Sequence, residues 1–346
     1  MEQRMIRHTG PSQDRVRSEC NTSCVMEKIV SQSHVIDPGA SFLASNLDDA
    51  YEFMMRVMKY PVVDCGEPLV SLERVTRESG VNVEFSSTLH VLGKSRLHLL
   101  RQGQICSFLQ AAAEMNNRGW VMRVEDGYRD RIMQKFIGRQ PAVFDAILRT
   151  VIRELSGEIP TPDFMLKRML TLVAQIPKTG THMSGSAIDI SVIEQATGLE
   201  LDRGAPYLDI NEYTPMDSPF IGSYARKNRK EITDIMRRAG FIEYPYEFWH
   251  YSSGDAYEHV LCDKTVPARY GAVDWNSDTG CTYPILDTNC LLNDIDEIKA
   301  EINASILRVN NEKASFLSGI SRHEKIGDNV DLVVKKVESI NSMWGD

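Results

Sequence analysis

At 346 residues the chain is longer than one hydrophobic core usually needs, and its 42% apolar content is ample for a main domain of about 200 residues with appendages. Forty-eight acidic residues against 39 basic, with a pI near 5.5, leave a mildly anionic surface without the basic footprint of a nucleic-acid binder. Seven cysteines, odd in number and without a C-x-x-C pair, argue against a disulfide framework or a zinc ribbon and fit reduced thiols in a cytosolic setting.

Residues 1–45 read as a polar, flexible arm, and the charges spread through its first 35 positions leave no apolar stretch for a signal peptide. No later run approaches the roughly 18 apolar residues of a membrane helix. Asn46 is placed to cap a helix carrying Leu47, Ala50, Phe53, Met54, Val57 and Met58 at three and four residue intervals, which Tyr60-Pro61 ends. The same spacing predicts a helix over 99–117, stopped at Gly119, followed by a strand over 120–124 and helices over 142–155 and 164–174.

A strand over 187–192 would turn Ile188, Ile190 and Val192 to one side and Ala187, Asp189 and Ser191 to the other. A helix over 228–239 faces Ile232, Ile235 and Met236 inward and meets Gly240, a left-handed cap residue. Residues 241–251 are aromatic and strand-like. Beyond Cys281, two helical segments (Leu291 to Val309, and 330–343) form either a hairpin on the main domain or an oligomerisation coil; two heptads are few for a coil, which favours the hairpin. The expected division is an arm over 1–45, a catalytic domain over 46–280 and a helical extension over 281–346.

Chemistry concentrates in two runs, Thr181-His182-Met183-Ser184-Gly185-Ser186-Ala187-Ile188-Asp189 and Glu247-Phe248-Trp249-His250. Two imidazoles and a carboxylate are a common open zinc set, with a fourth position left for water. Asp189, an acid inside an apolar strand, is costly to bury unless paired or metal-bound. Gly185 allows the tight turn between His182 and that strand. Glu247 and His250 stand three apart, so in a regular strand they face opposite ways; both address one point only across a bulge or helical turn. Gly93-Lys94-Ser95 lacks the first glycine of a phosphate loop, since Thr88 stands there. His90, His98, His259 and His323 have no ligand-spaced partners and read as structural or exposed.

The pattern T-H-x-S-G-S-A-I-D followed by E-F-W-H resembles the paired zinc motifs of the D-alanyl-D-alanine dipeptidase family, the vancomycin-resistance type within a wider group of D,D-carboxypeptidases. The similarity extends to Glu125-Asp126-Gly127-Tyr128-Arg129 and to Asn228-Arg229 with Ala239-Gly240-Phe241, over roughly residues 95–275. It implies an α+β fold in which helices surround a small, mostly antiparallel sheet bearing the metal. It also implies that His182, Asp189 and His250 bind one Zn²⁺ per chain, that Glu247 is the general base and that Arg129 stabilises the transition state. Asp209 would hold the substrate's amino group, with Tyr128 and Ser184 beside the substrate.

The expected function is hydrolysis of a short peptide, such as D-Ala-D-Ala, with no nucleic-acid or membrane partner. A specialised amide substrate, or a catalytically lapsed zinc-stabilised binding module, are the alternatives. Three departures from the family pattern bear on the substrate. Gly180 stands for a serine, Asp130 for a proline, and one extra residue precedes Asp209.

Overall fold

The computed structural model describes residues 37–323. Its first helix, α1 (Pro38–Lys59), buries Leu43, Leu47, Ala50, Phe53, Met54 and Val57 along one side. It begins at Pro38 rather than at an Asn46 cap. Asn46 lies within the helix and donates from Nδ2 to the Phe42 carbonyl at 3.0 Å. There follow β1 (Leu69–Ser71), α2 (Leu72–Ser79), β2 (Val83–Phe85), β3 (Leu99–Arg101) and α3 (Ile105–Asn117).

The helix expected over 99–117 is therefore a strand and then a helix. Leu99, Leu100 and Arg101 are all buried and pair antiparallel with β1, so their polar backbone is satisfied by a ladder. A short buried apolar run carries no period by which strand and helix can be told apart. The chain continues through β4 (Trp120–Asp126), α4 (Arg131–Ile137), α5 (Pro141–Glu154), α6 (Pro162–Leu172), β5 (Ala187–Glu194) and α7 (Ser223–Arg238). The remaining elements are β6 (Ile242–Tyr244), β7 (Glu247–Ser252), α8 (Ala256–Leu261), β8 (Val273–Trp275), β9 (Thr282–Pro284) and α9 (Ile295–His323).

The main sheet has the order β2-β4-β5-β7-β6, with β2 parallel to β4 and the other neighbours antiparallel. This is the α+β architecture expected, a small mixed sheet among helices. Ile188, Ile190 and Val192 of β5 pack with Phe108, Ala112 and Met115 of α3 and with Ile232, Ile235 and Met236 of α7. The opposite face carries Asp189. On that side α4, α5 and α6 hold a second core, in which Met133, Phe144, Ile147, Met165 and Met169 meet Ile298 and Ile302 of α9.

The first C-terminal helix thus packs on the main body, as the hairpin alternative required; the segment 330–343 lies outside the described residues. Among the described residues no helix is long and apolar enough to cross a membrane. Ile298 is fully buried, so Ile298→Ala is expected to destabilise the protein by about 2–5 kcal/mol, measured by urea unfolding. A change within error would mean that α9 is an appendage to the core.

Candidate metal centre

Register places the site. β4, β5 and β7 set Asp126 opposite Asp189, and Asp189 opposite His250, so three polar residues share one sheet face in a row. Two irregularities make the row possible. In β4 the pairing passes from Val124–Ile190 to Asp126–Asp189, two residues on one strand against one on the other, which marks a bulge at Glu125. Between β6 and β7 the register jumps from Glu243–Tyr251 to Tyr244–Glu247, which is the break in alternation that Glu247 and His250 needed.

His182 arrives from the loop before β5. Gly185 turns that loop at φ +67°, and a Cβ there would stand 2.3 Å from Leu69 Cδ2. The fully buried Arg101 fastens the turn, donating from Nε to the Ser184 carbonyl at 2.6 Å while Nη2 meets Asp64 Oδ2 at 2.6 Å. Ser186 Oγ donates to Asp255 at 2.7 Å on the other flank.

The three expected ligands come together. Their ligand atoms lie within 4.8 Å of one another, and all three residues are buried. Asp189 Oδ1 is 3.2 Å from His182 Nε2 and 3.0 Å from His250 Nδ1. Each imidazole is oriented from behind: His182 Nδ1 donates to the Gly127 carbonyl at 2.7 Å, and His250 Nε2 meets Thr181 Oγ1 at 3.0 Å. The proton on His182 Nδ1 leaves Nε2 with its lone pair directed into the site. A Cβ on Gly127 would meet the Leu97 carbonyl oxygen at 2.8 Å, so this backbone acceptor stands where only glycine fits.

The electrostatics suit a cation. Burial, and after it the Arg129 charge, lowers the pKa of His182 and keeps it neutral. Burial works to raise the Asp189 carboxyl, but the polar groups packed around it overcome this and hold it well below the usual carboxylate range. Asp189 Oδ2 accepts from Arg129 Nη2 at 3.1 Å and from the Tyr207 hydroxyl at 3.0 Å, so this oxygen is satisfied independently of the histidines.

Glu247 and Arg129 join the three candidate ligands in lining one cleft. Burial, with Asp189 adding to it, pushes the Glu247 carboxyl well above the ordinary range against the pull of Arg129. Apolar residues also line the cleft, among them Met54 of α1, Ile137 of α4, Leu170 of α6 and Ile210.

The three expected substrate contacts lie off this cleft. Tyr128 is fully buried, its hydroxyl donates to the Val273 carbonyl at 2.8 Å, and its ring packs with Leu69, Leu99 and Val273. Ser184 Oγ donates to the Thr181 carbonyl at 2.7 Å and borders a separate cavity. Asp209 Oδ2 accepts from Asn211 at 2.9 Å, while its neighbours Leu208 and Ile210 line the cleft. Asp130 caps α4, its Oδ1 accepting from the Met133 amide at 2.6 Å, and so fills locally the place where the family pattern has proline.

Sequence reasoning missed Thr181, Gly127, Tyr207 and Arg101. The first two lie inside the recognised motifs and could have been found as supports of the ligands' neighbours. Tyr207 and Arg101 carried no local signal.

The D-Ala-D-Ala dipeptidase family model matches residues 67–270. The chain belongs to that family. It is accordingly a metallopeptidase that hydrolyses peptides. A D-alanyl-D-alanine dipeptidase of Synechocystis is 26% identical over 247 residues, spanning 62% of this chain and 95% of the relative. The Enterococcus faecalis enzyme of the same name is 25% identical over 196 residues, 56% of this chain and 84% of the relative. That of Enterococcus faecium is 25% identical over 164 residues, 47% and 73% respectively.

Proposed function

We propose that the chain is a zinc-dependent dipeptidase acting on short peptides that contain D-amino acids, D-Ala-D-Ala being the first candidate. The observation that carries this reading is the convergence of His182 Nε2, Asp189 Oδ1 and His250 Nδ1 in a cleft that Glu247 and Arg129 also line. A tridentate set of two imidazoles and one carboxylate, each imidazole held by a second partner, fits zinc. Zinc held by these three residues would supply an acidified water and a Lewis acid for the scissile carbonyl.

The protein's own groups do the rest. Glu247 takes a proton from the attacking water and delivers it to the leaving amine, a transfer that a raised carboxyl pKa favours near neutral pH. Arg129, held by Asp126 through Nε and by Asp189 through Nη2, presents a permanent positive charge to the oxygen that becomes anionic. The apolar residues that share the cleft's lining accept the substrate's side chains and exclude water.

One observation favours a second substrate reading. Asp209 is engaged by Asn211 and is not among the residues lining the cleft, which leaves a charged amino end without that partner and suits an acylated amide. A panel of D-Ala-D-Ala, mixed D- and L-dipeptides and N-acyl peptides, tested on zinc-loaded protein, separates the two. Turnover of free D-dipeptides supports the first, turnover of acylated substrates alone supports the second, and no hydrolysis anywhere rejects both.

The base assignment also has a pH signature. A carboxyl raised by burial stays protonated to higher pH than a free one, and a nearby cation reverses the effect. Glu247 is therefore expected to titrate above the usual carboxylate range in zinc-free protein and to move down on zinc addition, followed by carboxyl ¹³C NMR with Glu247→Gln for assignment. An ordinary titration without zinc would contradict it.

A further inference from the structure

His90 stood out in the sequence only as a histidine without partners. In the structure it belongs to a loop whose contacts fall on the residues flanking Arg129 in sequence, Asp126 and Tyr128 before it and Asp130 after it. The fully buried Asp126 receives three cationic or imidazole groups on Oδ2: Arg129 Nε at 2.8 Å, Arg96 Nη1 at 3.2 Å and His90 Nε2 at 3.3 Å. Its other oxygen accepts from the Gly127 amide at 3.1 Å. Arg96 is itself fixed, donating from Nε to the Thr88 carbonyl at 3.0 Å and to Thr88 Oγ1 at 3.1 Å.

The loop closes on itself where the His90 amide donates to the Lys94 carbonyl at 2.8 Å. On the far side of Arg129, Lys94 Nζ meets Asp130 Oδ2 at 3.0 Å, and Leu97 bridges to Tyr128. Burying a carboxylate costs several kcal/mol unless it is well partnered, and a single arginine would have sufficed for charge. The hydrogen bond from Arg129, with Arg96 and His90 crowded against the same oxygen, restricts where that oxygen sits, and with it the guanidinium it holds. Neither ring nitrogen of the buried His90 makes a hydrogen bond of good geometry among the described residues, and Nε2 stands 3.3 Å from Asp126 Oδ2, close enough to act on that oxygen without sharing a settled hydrogen bond with it.

We propose that His90 and Arg96 are positioning residues for peptide hydrolysis, acting through Asp126 to hold Arg129 at the angle the transition state requires. The proposal rests on the reading of Arg129 as the group that meets the developing oxyanion. Neither residue is among those lining the cleft. Their effect falls on the transition state and not on binding, because an oxyanion donor is engaged only as charge develops.

The test uses the full zinc-loaded chain. Arg96→Met and His90→Phe keep side-chain bulk and are each expected to lower kcat by about 10- to 100-fold, with KM and zinc content unchanged, as partners behind a catalytic group do. Arg96→Lys, which keeps a cation facing Asp126, recovers part of the loss. Added to Arg129→Lys, either substitution lowers kcat no further, since the residue it acts through is already gone. Wild-type kcat in both single variants, or full additivity with Arg129→Lys, overturns the proposal.

A non-kinetic readout keeps the two readings separate. The Nε–H proton of Arg129, assigned by its loss in Arg129→Lys, is expected to exchange slowly in the wild type and faster in both variants. A wild type that hydrolyses none of the peptides overturns the peptidase reading alone. Slow exchange retained in both variants overturns the positioning role.

Discussion

Glu247→Gln is expected to retain zinc and to lose turnover by about 10²- to 10⁴-fold, the range that general acid–base help supplies. The amide has the shape of the carboxyl but neither accepts a proton from water nor returns one to the leaving amine. Among the residues lining the cleft, the other carboxylate is Asp189, whose Oδ2 is held by Arg129 and Tyr207 and whose Oδ1 faces both imidazoles. It has no free oxygen with which to replace Glu247. Zinc content by metal analysis and kcat with the best substrate of the panel check both halves. A rate near wild type would remove Glu247 from proton transfer, and lost zinc would make it a ligand.

The double variant His182→Ala with His250→Ala is expected to fold, to hold no near-stoichiometric zinc and to show no turnover above background. Folding should survive because Asp189 keeps Arg129 and Tyr207 as partners and the Ile188, Ile190 and Val192 face is untouched. Zinc that binds only the native state stabilises it by about 2.7 kcal/mol at a hundredfold excess over Kd. The wild type should therefore melt higher with zinc than with chelator, and the variant identically in both. A zinc-dependent melting shift retained in the variant would place the metal elsewhere.

The candidate ligands were legible in sequence because their chemistry is anomalous locally: an acid in an apolar strand, and a histidine each side of it in recognisable runs. The break in alternation between Glu247 and His250 could be argued from spacing alone, and the register shift beside Tyr244 is its physical form. Long periodic helices such as α5 and α7 declared themselves too, although α7 starts at Ser223, ahead of the expected residue 228. Leu99–Arg101 did not, because a buried tripeptide takes its identity from the strand beside it.

Tertiary partners were the least visible. Tyr128 sits inside a catalytic motif yet spends its hydroxyl on a backbone carbonyl from β8. His90 and Asp126 lie 36 positions apart and meet only once β4 is bulged (126 − 90 = 36). Nothing in the composition of the loop from Thr88 to Arg96 announces that it ends at a buried carboxylate.

Helix α1 precedes the stretch of chain that matches the family, yet its Met54 stands in the cleft and its Asp48 is bonded to Lys167 and Arg168 of α6. The candidate ligands and part of the wall of their cleft thus come from different tracts of the chain. Changes in the N-terminal tract can therefore alter the wall of the cleft without touching a residue of the matched stretch.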